Sequence, residues 1–231
     1  PARETHGMPK SLLRRTALGG LLCLLIASAP GFAAPPAVAT PAEPRSLHVV
    51  SDENFPPYLF RNAEGQAEGY LVDLWQLWAN RNRVQLTLTA TNWADAQKMV
   101  ARGDADVIDM IYRTPAREPL YDFSAPYADL PVAIYTDTSI GGISGVTTLK
   151  GFQIGVQDGD ACIDQLHANG ITTLQKYRNY TDLIAAAQRQ EIKVFCLDEG
   201  PANFYLYKAK AQGDFRKAFE LSRLDGDVVA W

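Results

Sequence analysis

Residues 84–110, VQLTLTATNWADAQKMVARGDADVIDM, decide the fold. Val84–Ala90 alternates with period two in β-forming residues, which predicts a strand. Asn92 is a good N-cap, Asp95 stands three residues on, and Gly103 follows a basic last turn, so residues 93–102 predict a bounded helix. Ala105–Met110 predicts the next strand. Strand, helix and strand in this order imply parallel strands with a helix on one face of their sheet.

Working outward, Leu47–Val50 predicts an earlier strand. Val72–Ala79 carries Leu74, Trp75, Leu77 and Trp78 at spacings that suit a well-buried helix. Downstream, Phe123-Ser-Ala-Pro-Tyr127 breaks the pattern, Pro131–Thr136 predicts a strand, and Ser139–Gly145 is a Gly/Ser-rich loop. A second series then predicts strands at 152–156, 172–176 and 192–197 alternating with helices at 161–168, 181–190 and 201–211. Two such series predict an α/β protein of two lobes, the first over residues 46–127 and the second over 128–225. The chain crosses after Tyr127 and returns near Leu224–Val228, with 226–231 starting the return to the first lobe. Gly226-Asp-Val-Val-Ala-Trp231 reads as a strand cut in mid-run, so the C-terminal end of the first lobe is expected to be missing.

The N-terminal part has a different character. Residues 1–7 precede Met8 and read as upstream sequence or a tag. Lys10, Arg14 and Arg15 precede an uncharged apolar run from Ala17 to Ala29, and Gly31-Phe32-Ala33 supplies small residues for cleavage. That is the three-part pattern of a secretory signal peptide, with an uncleaved N-terminal anchor as the alternative. Export places the chain in the periplasm. Leu22 precedes Cys23 where a lipoprotein signal needs a small residue, which argues against lipid attachment there. Residues 34–45, APPAVATPAEPR, have the composition of an extended linker.

The 231 residues carry a net charge of −4, and removing residues 1–33 (Arg3, Glu4, Lys10, Arg14 and Arg15) leaves −7. An acidic domain with scattered lysines is a poor partner for nucleic acid or for an anionic membrane surface. Cys162 and Cys196 remain. In an oxidising compartment they form a disulfide or stay as two buried thiols.

Six segments together resemble the bacterial extracellular solute-binding proteins of family 3, the amino-acid-binding class. They are Ser51-Asp-Glu-Asn-Phe-Pro-Pro-Tyr58, Gly69-Tyr-Leu-Val-Asp73, Trp93 through Gly103-Asp-Ala-Asp-Val107, Arg113-Thr-Pro-Ala-Arg117, Asp122-Phe-Ser-Ala-Pro-Tyr127 and Val194-Phe-Cys-Leu-Asp198. Each is weak alone; their order and spacing over about residues 46–231 carry the resemblance. It implies a two-lobed periplasmic-binding-protein-like fold of type II that closes on a small ligand.

By that resemblance, Arg117 holds the ligand carboxylate, a task its planar fork suits; the plainer alternative is an ion pair with Glu118 or Asp122. Asp198 ends an apolar strand and is expected to hold the ligand ammonium, against the alternatives that it caps the helix near Pro201 or that Glu199 serves instead. Phe55 would stack on the ligand side chain and Trp93 form another wall, although either could be ordinary core. Asp52 could reach a basic or polar ligand side chain. The Ala161 N–H, at a helix start, would meet the ligand carboxylate.

Two positions depart from the family pattern. Asp160 stands where a hydroxyl residue is common, so it either repels a ligand carboxylate or caps the helix. Tyr112 replaces a small hydroxyl residue five positions before Arg117, and Met110 is likewise bulky, though a backbone N–H could still serve the ligand at either place. No metal site or cofactor is expected, since His48 and His167 lack metal-ligand spacing and no phosphate loop or nucleophile elbow is present. The partners implied are a small-molecule ligand and either a membrane permease or transmembrane signalling domains on the same chain. An enzyme of the same fold, acting on cyclohexadienyl acids or peptidoglycan, is the remaining alternative.

Overall fold

A computed structural model of the protein describes residues 45–226. The signal peptide and linker expected up to residue 44, and the return of the chain expected after Gly226, lie outside the described residues. The architecture is two-lobed α/β, built on two principal sheets.

The first sheet contains β1 (Ser46–Asp52), β5 (Gln85–Thr91) and β6 (Val107–Ile108) in the order β5-β1-β6, all parallel. Between β1 and β5 the chain forms a small antiparallel sheet of β2 (Asn54–Phe55), β3 (Leu59–Arg61) and β4 (Ala67–Glu68), followed by helix α1 (Tyr70–Asn82). Gly69 opens α1 with φ 121, and a Cβ there would lie 2.3 Å from the Tyr58 carbonyl oxygen, so only glycine fits this junction. The helix ends on Arg83 in the left-handed region (φ 56), whose N–H closes the last turn. Leu71, Trp75 and Ala79 point into the core, but Leu77 and Trp78 are exposed. Helix α1 is therefore half-buried rather than well buried: Leu77 and Trp78 on its outer face are not core.

Helix α2 (Trp93–Ala101) lies between β5 and β6. Asn92 sits at its N-cap position but makes no cap bond; its side-chain amide donates to the Arg178 carbonyl instead. Trp93, Ala96, Val50, Ala105, Ile108 and Ile111 form a separate buried cluster at this side of the first sheet. The strand expected over 105–110 is only two residues long, because Met110 turns into the left-handed region (φ 56).

The second sheet has the order β11-β7-β10-β8-β9. Its strands are β7 (Ala128–Asp137), β8 (Ile154–Gln157), β9 (Leu174–Tyr177), β10 (Val194–Asp198) and β11 (Phe215–Gly226), with helices α3 (Ala161–Ala168), α4 (Tyr180–Gln188) and α5 (Glu199–Lys208) in the crossovers. β10, β8 and β9 are parallel, while β7 and β11 run antiparallel to their neighbours. β11 was not read from the sequence, which gives no element between the helix at 201–211 and the returning strand expected to start near Leu224. It pairs with β7 from Phe215↔Asp137 to Gly226↔Ala128, with irregularities between Lys217 and Phe219 and between Glu220 and Ser222.

Cys162, in the first turn of α3, is joined to Cys196 of β10 by a disulfide with the Cα atoms 6.2 Å apart. Both residues are buried in the main core, which also takes Ile154, Leu166, Leu183, Phe195 and Leu197.

Candidate functional site

Parallel α/β sheets place loops and helix starts at the carboxyl ends of their strands, and ligand sites form there. Here both sheets bring such ends to one small cavity. From the first sheet come Ser51 and Asp52 at the end of β1, Phe55 just beyond, Trp93 at the start of α2, and Asp109, Met110, Tyr112 and Arg117 in the segment after β6. From the second come Gln157 at the end of β8, Asp160 and Ala161 at the start of α3, Tyr180 at the start of α4, and Asp198 at the end of β10. All seven residues singled out from the sequence, Asp52, Phe55, Trp93, Tyr112, Arg117, Ala161 and Asp198, line this space. Ser51, Asp109, Gln157 and Tyr180 join them without a sequence signal strong enough to pick them out.

Arg117 is 5% exposed and forms no ion pair with Glu118 or Asp122. Glu118 is taken by Arg113 at 3.0 Å. The Arg117 guanidinium donates from Nη2 to the Gly159 carbonyl at 2.7 Å and from Nη1 to the Tyr112 carbonyl at 3.2 Å, with its Nε 3.7 Å from Asp164 Oδ2. The Gly159 carbonyl also accepts from Trp93 Nε1 at 2.9 Å and from Gln97 Nε2 at 3.0 Å. One carbonyl just ahead of α3 thus receives three donors carried by α2 and the segment after β6.

Asp198 caps nothing: its position opens α5, but its side chain makes no cap bond. Instead its carboxyl faces the cavity side, where Tyr112 OH donates to Oδ1 at 2.5 Å and Tyr180 OH lies 3.0 Å from Oδ2. The side chain of Tyr112, not only its backbone, is therefore part of the site. Asp160 takes the capping alternative: Oδ1 accepts from the Cys162 N–H at 2.8 Å, and Oδ2 lies 2.7 Å from Tyr180 OH. Asp52 accepts from the Asn54 N–H at 3.0 Å and from Gln157 Nε2 at 2.7 Å. Asp109, also in the lining, accepts from Trp75 Nε1 at 2.7 Å and Tyr127 OH at 2.5 Å. The Ser51 hydroxyl is buried with no hydrogen-bond partner. Phe55 stacks on Tyr58 with ring centroids 5.1 Å apart and lies 6.3 Å from Tyr180, so it is at once wall and packing.

Burial governs the electrostatics. It pushes Asp52 up to about 7, against the lowering effect of its bonds to Gln157 and Asn54. Burial, with the charge of Asp160 next, pushes Asp198 up to about 8, and burial raises Asp160 and Asp109 as well. Tyr112 and Tyr180 are held well above their ordinary range, first by burial and then by the facing carboxylates. Beyond the cavity, Asn54 and Thr181 exchange hydrogen bonds at 3.1 Å, Thr114 Oγ1 donates to Asp164 at 2.9 Å, and Phe60 packs on Phe204 at 5.7 Å. These contacts join the two sides of the cleft. Among the described residues no group of three or more His, Cys, Asp or Glu side chains is arranged to hold a metal ion, and no helix is long and apolar enough to cross a membrane.

Two α/β lobes meeting over a buried, polar cleft define a solute-binding domain. The model of the bacterial extracellular solute-binding proteins, family 3, matches residues 47–220, and the chain belongs to that family. The L-cystine-binding protein TcyJ of Escherichia coli (strain K12) is 28% identical over 152 residues, which are 62% of this chain and 56% of that protein, so the match spans little more than half of its length. A probable histidine-binding protein of Neisseria gonorrhoeae is 23% identical over 207 residues, covering 87% of this chain and 77% of that protein. Among solved structures, holo ArgBP from T. maritima aligns with TM-score 0.71 at 22% identity, covering 80% of this chain and 81% of that one. A histidine kinase sensor domain with similarity to periplasmic binding proteins aligns with TM-score 0.75 at 17% identity, covering 81% and 82%. Both structural likenesses concern the fold.

Proposed function

We propose that this domain closes on a small amino-acid-like ligand and performs no chemistry on it. The observation that carries the reading is the placement of the Arg117 guanidinium and the Asp198 carboxyl in the lining of a single cavity. Arg117 comes from the segment after the first sheet, Asp198 from the end of a strand in the second. A free amino acid brings a carboxylate and an ammonium, and bound between these two groups it would bridge the lobes. Ala161 N–H, at a helix start, adds a donor for the ligand carboxylate. Phe55 and Trp93 would wall the ligand side chain, Tyr112 would shape the ammonium end, and Asp52 would face the far end. A ligand held from both sides favours the closed state, because only differential affinity shifts such an equilibrium.

In this reading residues 46–127 form the first lobe and 128–225 the second, with β7 and the far end of β11 as the crossing strands. The domain works in the periplasm. Its closed state is read either by a membrane permease or by transmembrane signalling domains. An enzymatic role is disfavoured, since the cleft acids are held by tyrosines, a glutamine and a helix N-terminus rather than set beside a nucleophile.

The test is a thermal-shift screen of unfolded and refolded protein against the L-amino acids. A ligand at a hundred times its Kd adds about 2.7 kcal/mol of stability, a rise of roughly 5–11 °C in Tm for a domain of this size. The expected result is a shift with one amino acid that is lost in Arg117→Ala and in Asp198→Asn. A shift that survives both variants removes these residues from the site.

A further inference from the structure

We propose that the hairpin of β2 and β3 is a clasp: through Asn54 it caps helix α4 from across the cleft and holds the two lobes together, with or without a ligand between them. This goes beyond the amino-acid reading and does not depend on it. The clasp residues Asn54, Thr181 and Tyr205 are not in the lining of the ligand cavity; they line a separate one.

The start of α4 supplies the first argument. The first N–H groups of a helix have no partner within it. The Asp182 N–H donates to Asn179 Oδ1 at 2.8 Å, as at an ordinary cap, and the Leu183 N–H donates to the Asn179 carbonyl at 3.1 Å. The Thr181 N–H, in the same turn, is met from the other lobe: it donates to Asn54 Oδ1 at 3.1 Å. Asn54 Nδ2 donates in return to Thr181 Oγ1 at 3.1 Å, and the Asn54 carbonyl accepts from Tyr205 OH on α5 at 3.3 Å. One residue of the hairpin is thus tied to two helices of the second lobe. Its own place is fixed, since its N–H donates to Asp52 Oδ1 at 3.0 Å.

Shape supplies the second. Phe60 of β3 packs on Phe204 of α5 with ring centroids 5.7 Å apart. The Tyr58 ring, in the turn of the hairpin, lies against Gly200 in the first turn of α5, where an added Cβ would meet Tyr58 Cε2 and Oη at 3.1 Å. Tyr58 is stacked on Phe55, so a side chain at position 200 would press the hairpin away from the helix. Glycine is less favourable than alanine within a helix, and the seating of the hairpin accounts for its presence here. Moving the lobes apart would expose the Thr181 N–H and break the bonds of Asn54 to α4. Two neutral hydrogen bonds of this kind shift an equilibrium about tenfold. The clasp therefore biases the lobes towards contact before a ligand adds any differential affinity of its own.

Amide hydrogen exchange of the refolded, ligand-free full chain, read residue by residue by nuclear magnetic resonance, tests this. The Thr181 N–H should exchange about tenfold more slowly than an unstructured amide. In Asn54→Ala and in Gly200→Ala that protection should vanish, while the inner α4 amides of residues 185–187 keep theirs and show the fold intact. Asn54→Asp retains an acceptor for the Thr181 N–H and should retain the protection. A merely local role for Gly200 predicts the reverse in Gly200→Ala, a firmer α5 with Thr181 undisturbed. Free exchange of Thr181 in the wild type, or protection that survives in Asn54→Ala or in Gly200→Ala, overturns the inference. An equimolar mixture of the common L-amino acids, added to the wild type, should slow Thr181 exchange further. Protection lost in Asn54→Ala upholds the clasp with or without that slowing, whose absence discards the amino-acid reading alone.

Discussion

Single residues tie the two sides of the cleft together. Trp93 is a wall of the cavity, yet its indole N–H also donates across the cleft to Gly159. Trp93→Phe keeps an aromatic wall and deletes that donor. A neutral hydrogen bond contributes about 1 kcal/mol, so the variant should bind the ligand about fivefold more weakly, with little change in which ligand it prefers. Titration against the wild-type ligand checks this; a change in preference would make the ring the discriminating feature. The residues with a chemical signature, Arg117 and Asp198, were legible because each sits in a motif at a strand end or just beyond a sheet. Tyr180 and Gln157 were not. A tyrosine at the first turn of a helix and a glutamine ending an apolar strand read as ordinary surface, and only the facing sheet gives them Asp160, Asp198 and Asp52 as partners. Asn92 shows the reverse error: the local pattern makes it a cap, and the long-range contact to Arg178 takes its side chain away.

Whole elements were easier to read where local and tertiary preferences agree. α3 begins and ends at the residues the sequence indicates, because Asp160 caps it and the apolar residues repeat on one face. β11 was illegible for a physical reason. It is an edge strand rich in Arg, Lys and Glu, as exposed edges tend to be, and its two irregularities break the period-two alternation that marks a strand. The helix at the second-lobe end of the cavity is fixed to the sheet by the Cys162–Cys196 disulfide, which closes a stretch of 34 residues. Constraint of the unfolded chain by such a crosslink contributes roughly 2–4 kcal/mol. The double variant Cys162→Ser/Cys196→Ser should therefore melt several degrees lower, and a Tm equal to that of the wild type would show that the bridge does not form in the protein as made. Since Cys162 adjoins Asp160 and Ala161, ligand affinity should fall with it.

At the scale of the molecule, the acids buried in the cleft tie stability to pH. Burial holds Asp52 up at about 7 and Asp198 up at about 8. In the unfolded chain both ionise near pH 4. Between those values the folded protein keeps protons that the unfolded chain has lost. Their contribution is complete below about pH 4 and is lost as pH rises through 7 and 8, with a slope of up to about 1.4 kcal/mol per pH unit for each proton. The ligand-free Tm should accordingly fall between pH 5 and pH 8, and Asp198→Asn should flatten the fall. A Tm that rises over this range would mean that these carboxyls are ionised in the folded cleft.

The Gly159 carbonyl, with its donors from Trp93, Gln97 and Arg117, has a consequence outside energetics. Donors polarise a carbonyl and lower its stretching frequency, the more so when one of them is charged. All three come from the opposite side of the cleft, so an opening of the proposed kind would release them together. An isotope-edited vibrational band at this single bond would act as an optical gauge of how far the domain is shut.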